Sequence, residues 1–122
     1  MSAKSSSLTL LLLASLALTV PGPARADEQQ YVVAYVEFLP AFKDIGGELL
    51  ERLAFLGRRA PGAISFSANQ EIQRPNFYVL ISVWKTAADR ITFESTQAAA
   101  LLGKIQPLLE APIDIRPGTL IE

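Results

Sequence analysis

Three features of the 122-residue chain predict an α+β domain. Two runs, YVVAYVEF over 31–38 and FYVLISVW over 77–84, are rich in β-branched and aromatic residues, as strands are. Between them Phe42, Ile45, Leu49, Leu53 and Leu56 recur at helical spacing. After the second run, Thr86 with Asp89 three residues on is a variant of the capping box, and it starts a second helical region. The order is strand, helix, strand, strand, helix pair, strand. This βαββαβ order is that of a ferredoxin-like domain with an antiparallel sheet.

The first 26 residues stand outside this domain. Lys4 lies in a short polar start, Leu8 to Val20 is an uncharged apolar run of 13 residues, and Pro21-Gly22-Pro23 precedes Ala24-Arg25-Ala26. That is the layout of a secretory signal peptide. The run is short of the roughly 20 residues that span a bilayer, although an uncleaved anchor is the alternative. No cysteine follows it, which disfavours a lipid anchor. The expectation is cleavage after Ala26, export to a bacterial periplasm or beyond, and a mature domain over 27–122 with no stable membrane anchor.

Removing Lys4 and Arg25 from the 11 basic side chains leaves 9 against 12 acidic ones, a net charge of −3. A nucleic-acid partner is therefore not expected. The chain has no cysteine, so an oxidising compartment gives it no disulfide, and it has no histidine, the commonest metal ligand and general base.

Taken in order, the first strand ends at Leu39-Pro40, and Pro40 suits a helix start, where its missing N–H is no loss. Gly46-Gly47 inside the helix costs about 1 kcal/mol each against alanine, which predicts a close helix-to-sheet approach, a bend, or simple tolerance. Ala60-Pro61-Gly62 is a turn. Ala63 to Asn69 alternates, with Ile64, Phe66 and Ala68 on one face and Ser65, Ser67 and Asn69 on the other. A loop containing Pro75 leads into the strand that ends at Trp84. Ser95 or Thr96 is a candidate cap for the second helix of the pair, which Pro107 kinks or ends. Ile113 to Ile115 and Thr119 to Ile121 supply a last strand interrupted by Pro117-Gly118.

The strand over 77–84 is apolar on both faces. Phe77, Val79, Ile81 and Val83 share one, and Tyr78, Leu80, Ser82 and Trp84 the other. Both faces must be covered. Two helices cover one side of a small sheet, and a second subunit is the economical cover for the other, so a homodimer is expected.

The segment Arg59 to Ile64, the Val83-Trp84 strand end, the following Lys85-Thr86-Ala87-Ala88, and Leu108-Leu109 with Pro112 resemble the antibiotic biosynthesis monooxygenase family. The resemblance covers nearly all of the predicted mature domain. It implies a dimeric α/β barrel of two ferredoxin-like sheets packed face to face. It also implies, as an activity, monooxygenation of a quinol or anthrone without metal or flavin, hence no cofactor; the family includes haem-degrading members too. The chain departs from the family pattern at Phe93 and Ala98, near which relatives carry histidines, and at Leu80, where some cofactor-free members have asparagine.

Cofactor-free oxygenation requires an electron-rich substrate in a water-poor pocket, with its anion stabilised and its proton taken up. Trp84, Leu80 and Tyr78 on one strand face, with Phe93 and Leu101 from the helices, are the candidate pocket, and core packing is the alternative role for each aromatic. Tyr31, Tyr35, Asn69 and Arg116 are candidate polar contacts if their strands point the same way, although an arginine two residues after Asp114 is more often a surface ion-pair partner than an anion holder. Glu37, Glu71 and Glu94 are isolated in sequence and read as surface carboxylates. The functional expectation is a cofactor-independent monooxygenase acting with O2 on a small phenolic or quinol-like molecule. The alternative is a binding or assembly module that keeps the fold and has no activity.

Overall fold

The computed structural model describes residues 28–121, so the predicted signal segment and its cleavage site lie outside it. The elements are β1 (Gln30–Glu37), a 3-10 turn (Pro40–Phe42), α1 (Lys43–Arg59), β2 (Ala63–Gln70), β3 (Phe77–Trp84), α2 (Ala87–Ser95), α3 (Ala99–Ile105), a second 3-10 turn (Gln106–Leu108) and β4 (Asp114–Thr119). One antiparallel sheet has the order β2-β3-β1-β4, and the two apolar strands lie at its centre. This is the ferredoxin-like α+β arrangement. Among the described residues no helix is long and apolar enough to cross a membrane.

The sheet's two faces differ as strand alternation requires. Val32, Ala34 and Val36 of β1 and Tyr78, Leu80, Ser82 and Trp84 of β3 are buried beneath the helices, with Leu50, Leu53 and Ala54 of α1, Phe93 of α2, and Leu101 and Ile105 of α3 above them. The other face carries Tyr31, Val33 and Tyr35 beside Val79, Ile81 and Val83. Nothing among the described residues covers it: Ile81 and Tyr35 are each 44 % exposed.

Helix α1 turns a different line of residues inward from the one its sequence suggests. Its buried positions are Gly46, Leu50, Leu53, Ala54 and Gly57, while Phe42 and Ile45 stay exposed and Leu49 and Leu56 are half-buried. The reason is close approach. A Cβ at Gly46 would lie 2.6 Å from the Phe38 ring, one at Gly47 would overlap the Tyr78 hydroxyl, and one at Gly57 would overlap the Phe66 ring. Small residues thus form the line of contact, and the helix rotates to present them. The Gly46-Gly47 pair marks an approach rather than a bend.

Three further local expectations are revised. The β2–β3 register breaks between Ala63 and Ser65, so Ile64 leaves the Phe66 face and is 47 % exposed. Ser95 and Thr96 do not cap the next helix. Their hydroxyls donate back to the carbonyls of Ile91 and Thr92, closing α2, and α3 begins beyond Ala98 without a side-chain cap. The last strand is continuous through Pro117-Gly118, because β4 is at the sheet edge, where proline's missing donor is tolerated.

Candidate functional site

Trp84 ends β3 and is 1 % exposed. It lies between Ala63 of β2 and Gln30 of β1 in the sheet. Its ring tilts against Phe93 at 5.5 Å between centroids and meets Phe66 edge-on at 6.2 Å, and Phe66 meets Phe93 at 5.9 Å. Three elements thus each contribute one ring to an aromatic cluster, with two edge-to-face contacts and one tilted one. The indole Nε1 donates to Ser82 Oγ at 2.9 Å, which satisfies two buried polar groups within one strand face.

The chain around Trp84 is fixed by a turn. Ala63 N donates to Ala60 O across Pro61-Gly62, and Gly62 has φ +84°, the left-handed value that the third position of a type II turn requires. Gly62 O then accepts from Lys85 N at 2.8 Å, and a side chain at Gly62 would overlap Asp89 in the first turn of α2. Thr86 Oγ1 accepts from Asp89 N at 3.1 Å as the N-cap of α2. The Pro-Gly turn and the strand-Trp-helix junction, far apart in sequence, are therefore one contact in space. Together they aim α2, and with it Phe93, over the indole.

Between the sheet and the helices lies a partly open cavity of about 140 Å³. Trp84, Phe93, Phe66 and Leu80 form part of its wall, with Val32 and Ala34 on the sheet, Leu53 from α1, Leu102 from α3, and Ile113 and Ile115 from the last segment. Among the described residues its polar side chains are Ser82 and Glu94. Among the described residues no group of three or more histidine, cysteine or acidic side chains converges as a metal site.

The structure divides the sequence-selected residues into three sets. Trp84, Leu80 and Phe93 line the cavity. Tyr78 and Leu101 are buried in the same core but do not reach it. Tyr78 lies further along β3, edge-on to Phe38 at 5.6 Å, with its hydroxyl donating to Lys43 O at 2.8 Å, and Leu102 stands where Leu101 was expected. Burial, with the acidic Asp44 and Glu51 nearby, pushes the Tyr78 phenol above its ordinary pKa, so it stays a donor.

Tyr31, Tyr35, Asn69 and Arg116 form the third set. Their strands do point the same way, but away from the cavity. Tyr31 pairs with Val83, Tyr35 and Asn69 with Val79, and Arg116 with Val33, all on the open sheet face. Arg116 donates to Asp114 Oδ2 at 2.7 Å, and its guanidinium lies 5.0 Å from the Tyr35 ring centre. That hydrogen bond holds the Asp114 carboxyl below its usual range. The assignment of these four to the pocket is corrected, and the reason is the period of two along each strand.

Glu94 and Ser82 are the polar lining residues that the sequence did not single out for the cavity. The signal for Ser82 was present, as the one small polar residue among the aromatic and apolar side chains on the Trp84 face of β3. Glu94 follows Phe93 on a short helix whose rotation the sequence leaves undetermined.

The fold has solved counterparts. A protein from Nitrosomonas europaea named for antibiotic biosynthesis monooxygenase superposes with a TM-score of 0.73 at 14 % identity, over 78 % of this chain and 92 % of its own. The chain shares its ferredoxin-like fold with that protein. A second protein named an antibiotic biosynthesis monooxygenase matches at TM-score 0.72 and 18 % identity, over 76 % of this chain and 99 % of its own. One so named from Bacteroides thetaiotaomicron matches at 0.71 and 14 %, over 80 % and 93 %. No family model and no curated protein matches the sequence.

Proposed function

We propose that the protein is a cofactor-independent monooxygenase acting on a small phenolic or quinol-like molecule held against Trp84. The observation that carries this reading is the aromatic-walled cavity between sheet and helices, in a fold shared with proteins named as monooxygenases. The cavity's volume of about 140 Å³ is close to that of engineered cavities that take up benzene, so one aromatic ring fits. A three-ring anthrone does not, without movement of the walls.

The chemistry balances without an external reductant. A quinol and O2 give a hydroxyquinone and water, the ring supplying the electrons and receiving one oxygen atom. The protein's part is to exclude water, hold the ring beside Trp84 and Phe93, and hydrogen-bond its oxygen.

Oxygen uptake with hydroquinone and substituted single-ring quinols tests this. Uptake above the uncatalysed rate is expected, with about a tenfold loss of kcat/KM in Trp84→Phe. A rate equal to buffer across the panel would leave the second reading, a non-catalytic binding module. That reading is favoured by the absence of histidine from the chain and by the apolar character of the cavity wall.

We also propose that two copies associate through the open sheet face, and that residues 1–26 direct export and are removed. Mass spectrometry of the exported protein should give an N-terminus at Asp27. An intact Met1 would refute the removal.

A further inference from the structure

Among the described residues, Glu94 is the only ionisable side chain in the cavity wall. It is one turn along α2 from Arg90, whose Nη1 donates to Glu94 Oε1 at 3.1 Å and to Oε2 at 3.3 Å. The Arg90 side chain is 15 % exposed and that of Glu94 38 %. The arginine is thus packed down, while the Glu94 side chain, part of the cavity wall, is partly open to solvent. A carboxylate so placed has acceptor capacity left over after the arginine contact, since each oxygen has two lone pairs. The other polar group, Ser82 Oγ, already accepts from Trp84.

We propose that Glu94, positioned by Arg90, is a specificity-determining residue. Its carboxylate accepts a hydrogen bond from the hydroxyl of a single-ring phenol or quinol in the Trp84 cavity and excludes aromatic carboxylates. This rests on the reading of the cavity as a ligand site and adds the class of ligand it selects. Three features argue for it. The wall is otherwise apolar and aromatic, so it suits a ring. An apolar ring with no donor would desolvate the carboxylate without replacing its lost water. A carboxylate on the ring would meet a like charge.

The role is selection rather than outright deprotonation. Free phenol and free carboxylic acid differ by about six pKa units, so full proton transfer to a carboxylate is uphill by about a millionfold. Hydrogen-bond acceptance carries no such penalty, and it draws electron density toward the ring oxygen in the state that reacts with O2.

Trp84 is the chain's only tryptophan, so its fluorescence reports on the cavity directly. Titrating the full protein with phenol, hydroquinone, toluene and benzoate is expected to rank both hydroxyl compounds about tenfold or more tighter than toluene, with no response to benzoate. In Glu94→Leu the ranking should reverse in favour of toluene. In Glu94→Gln, whose amide oxygen still accepts, phenol should weaken by about tenfold and benzoate should gain a response. Circular dichroism confirms that both variants are folded. Equal affinity for phenol and toluene in the unmodified protein, or an unchanged ranking in Glu94→Leu, overturns the inference while leaving a ligand-binding cavity in place. Quenching by none of the four overturns the cavity reading and this inference with it.

Discussion

Tyr78 shows how a single residue on the Trp84 face of β3 can serve stability alone. Its hydroxyl donates to Lys43 O and accepts from Gln70 Nε2 at 3.1 Å, tying the first turn of α1 to the sheet. Replacing it with phenylalanine removes the donor to a carbonyl and should cost about 1 kcal/mol. The pH dependence has a definite sign. Because burial raises the phenol's pKa in the folded state, the folded protein keeps a proton that the unfolded chain releases near pH 10. The stabilisation is complete below that pH and is lost as pH rises toward the folded-state value. Melting temperatures measured from pH 7 to 11 should therefore fall more steeply for the unmodified protein than for Tyr78→Phe. Parallel curves would refute the link. Trp84 differs in serving both core and cavity. Its replacement by alanine would cost about 3–5 kcal/mol, a large share of the 5–15 kcal/mol that holds a small domain together, so phenylalanine is the informative substitution there.

At the scale of elements, α2 is only nine residues long and is held by its first turn. Thr86 accepts from Asp89 N and donates to Asp89 Oδ2 at 3.0 Å, and Asp89 in turn abuts Gly62. Thr86→Ala should lower stability by about 1 kcal/mol in urea unfolding, with Thr86→Ser restoring most of it. An alanine variant with an unchanged midpoint would show that packing of Phe93 alone fixes the helix. This cap was legible in sequence because its chemistry is local: a hydroxyl, a three-residue spacing and a strand ending just before it. The two central strands were legible for the same reason. The facing of α1 was not, since it follows from where Phe38, Tyr78 and Phe66 meet three glycines across the fold. Nor was the side of the sheet that would receive Tyr31, Tyr35, Asn69 and Arg116. Alternation groups such residues reliably, but which group meets the helices is decided by the larger aromatic and apolar set on the Trp84 face.

At the scale of the molecule, the unoccupied sheet face is the feature a lone chain does not explain. Val33, Val79, Ile81 and Val83 form its centre with Tyr31 and Tyr35, while its margins are polar, with Ser65, Ser67 and Asn69 on β2 and Asp114 and Arg116 on β4. An apolar centre with a polar rim is the anatomy of a protein interface. Hydrogen bonds from Asn69 Nδ2 to Val79 O and Ser67 Oγ keep one margin ordered, and the Arg116–Asp114 pair orders the other. A second copy turned by a two-fold axis presents the same centre to itself and meets rim with rim. Light scattering should therefore give a dimer mass at micromolar concentration. Ile81→Asp places a charge in the middle of the face, where burial against a partner would strip its water, and should shift the mass to that of one chain while the helix side of the sheet stays folded. Because the Trp84 cavity lies on the opposite side of the sheet, the same variant should keep its phenol-dependent fluorescence change. Loss of both properties together would mean that the second subunit shapes the cavity, and a monomer mass for the unmodified protein would refute the interface itself.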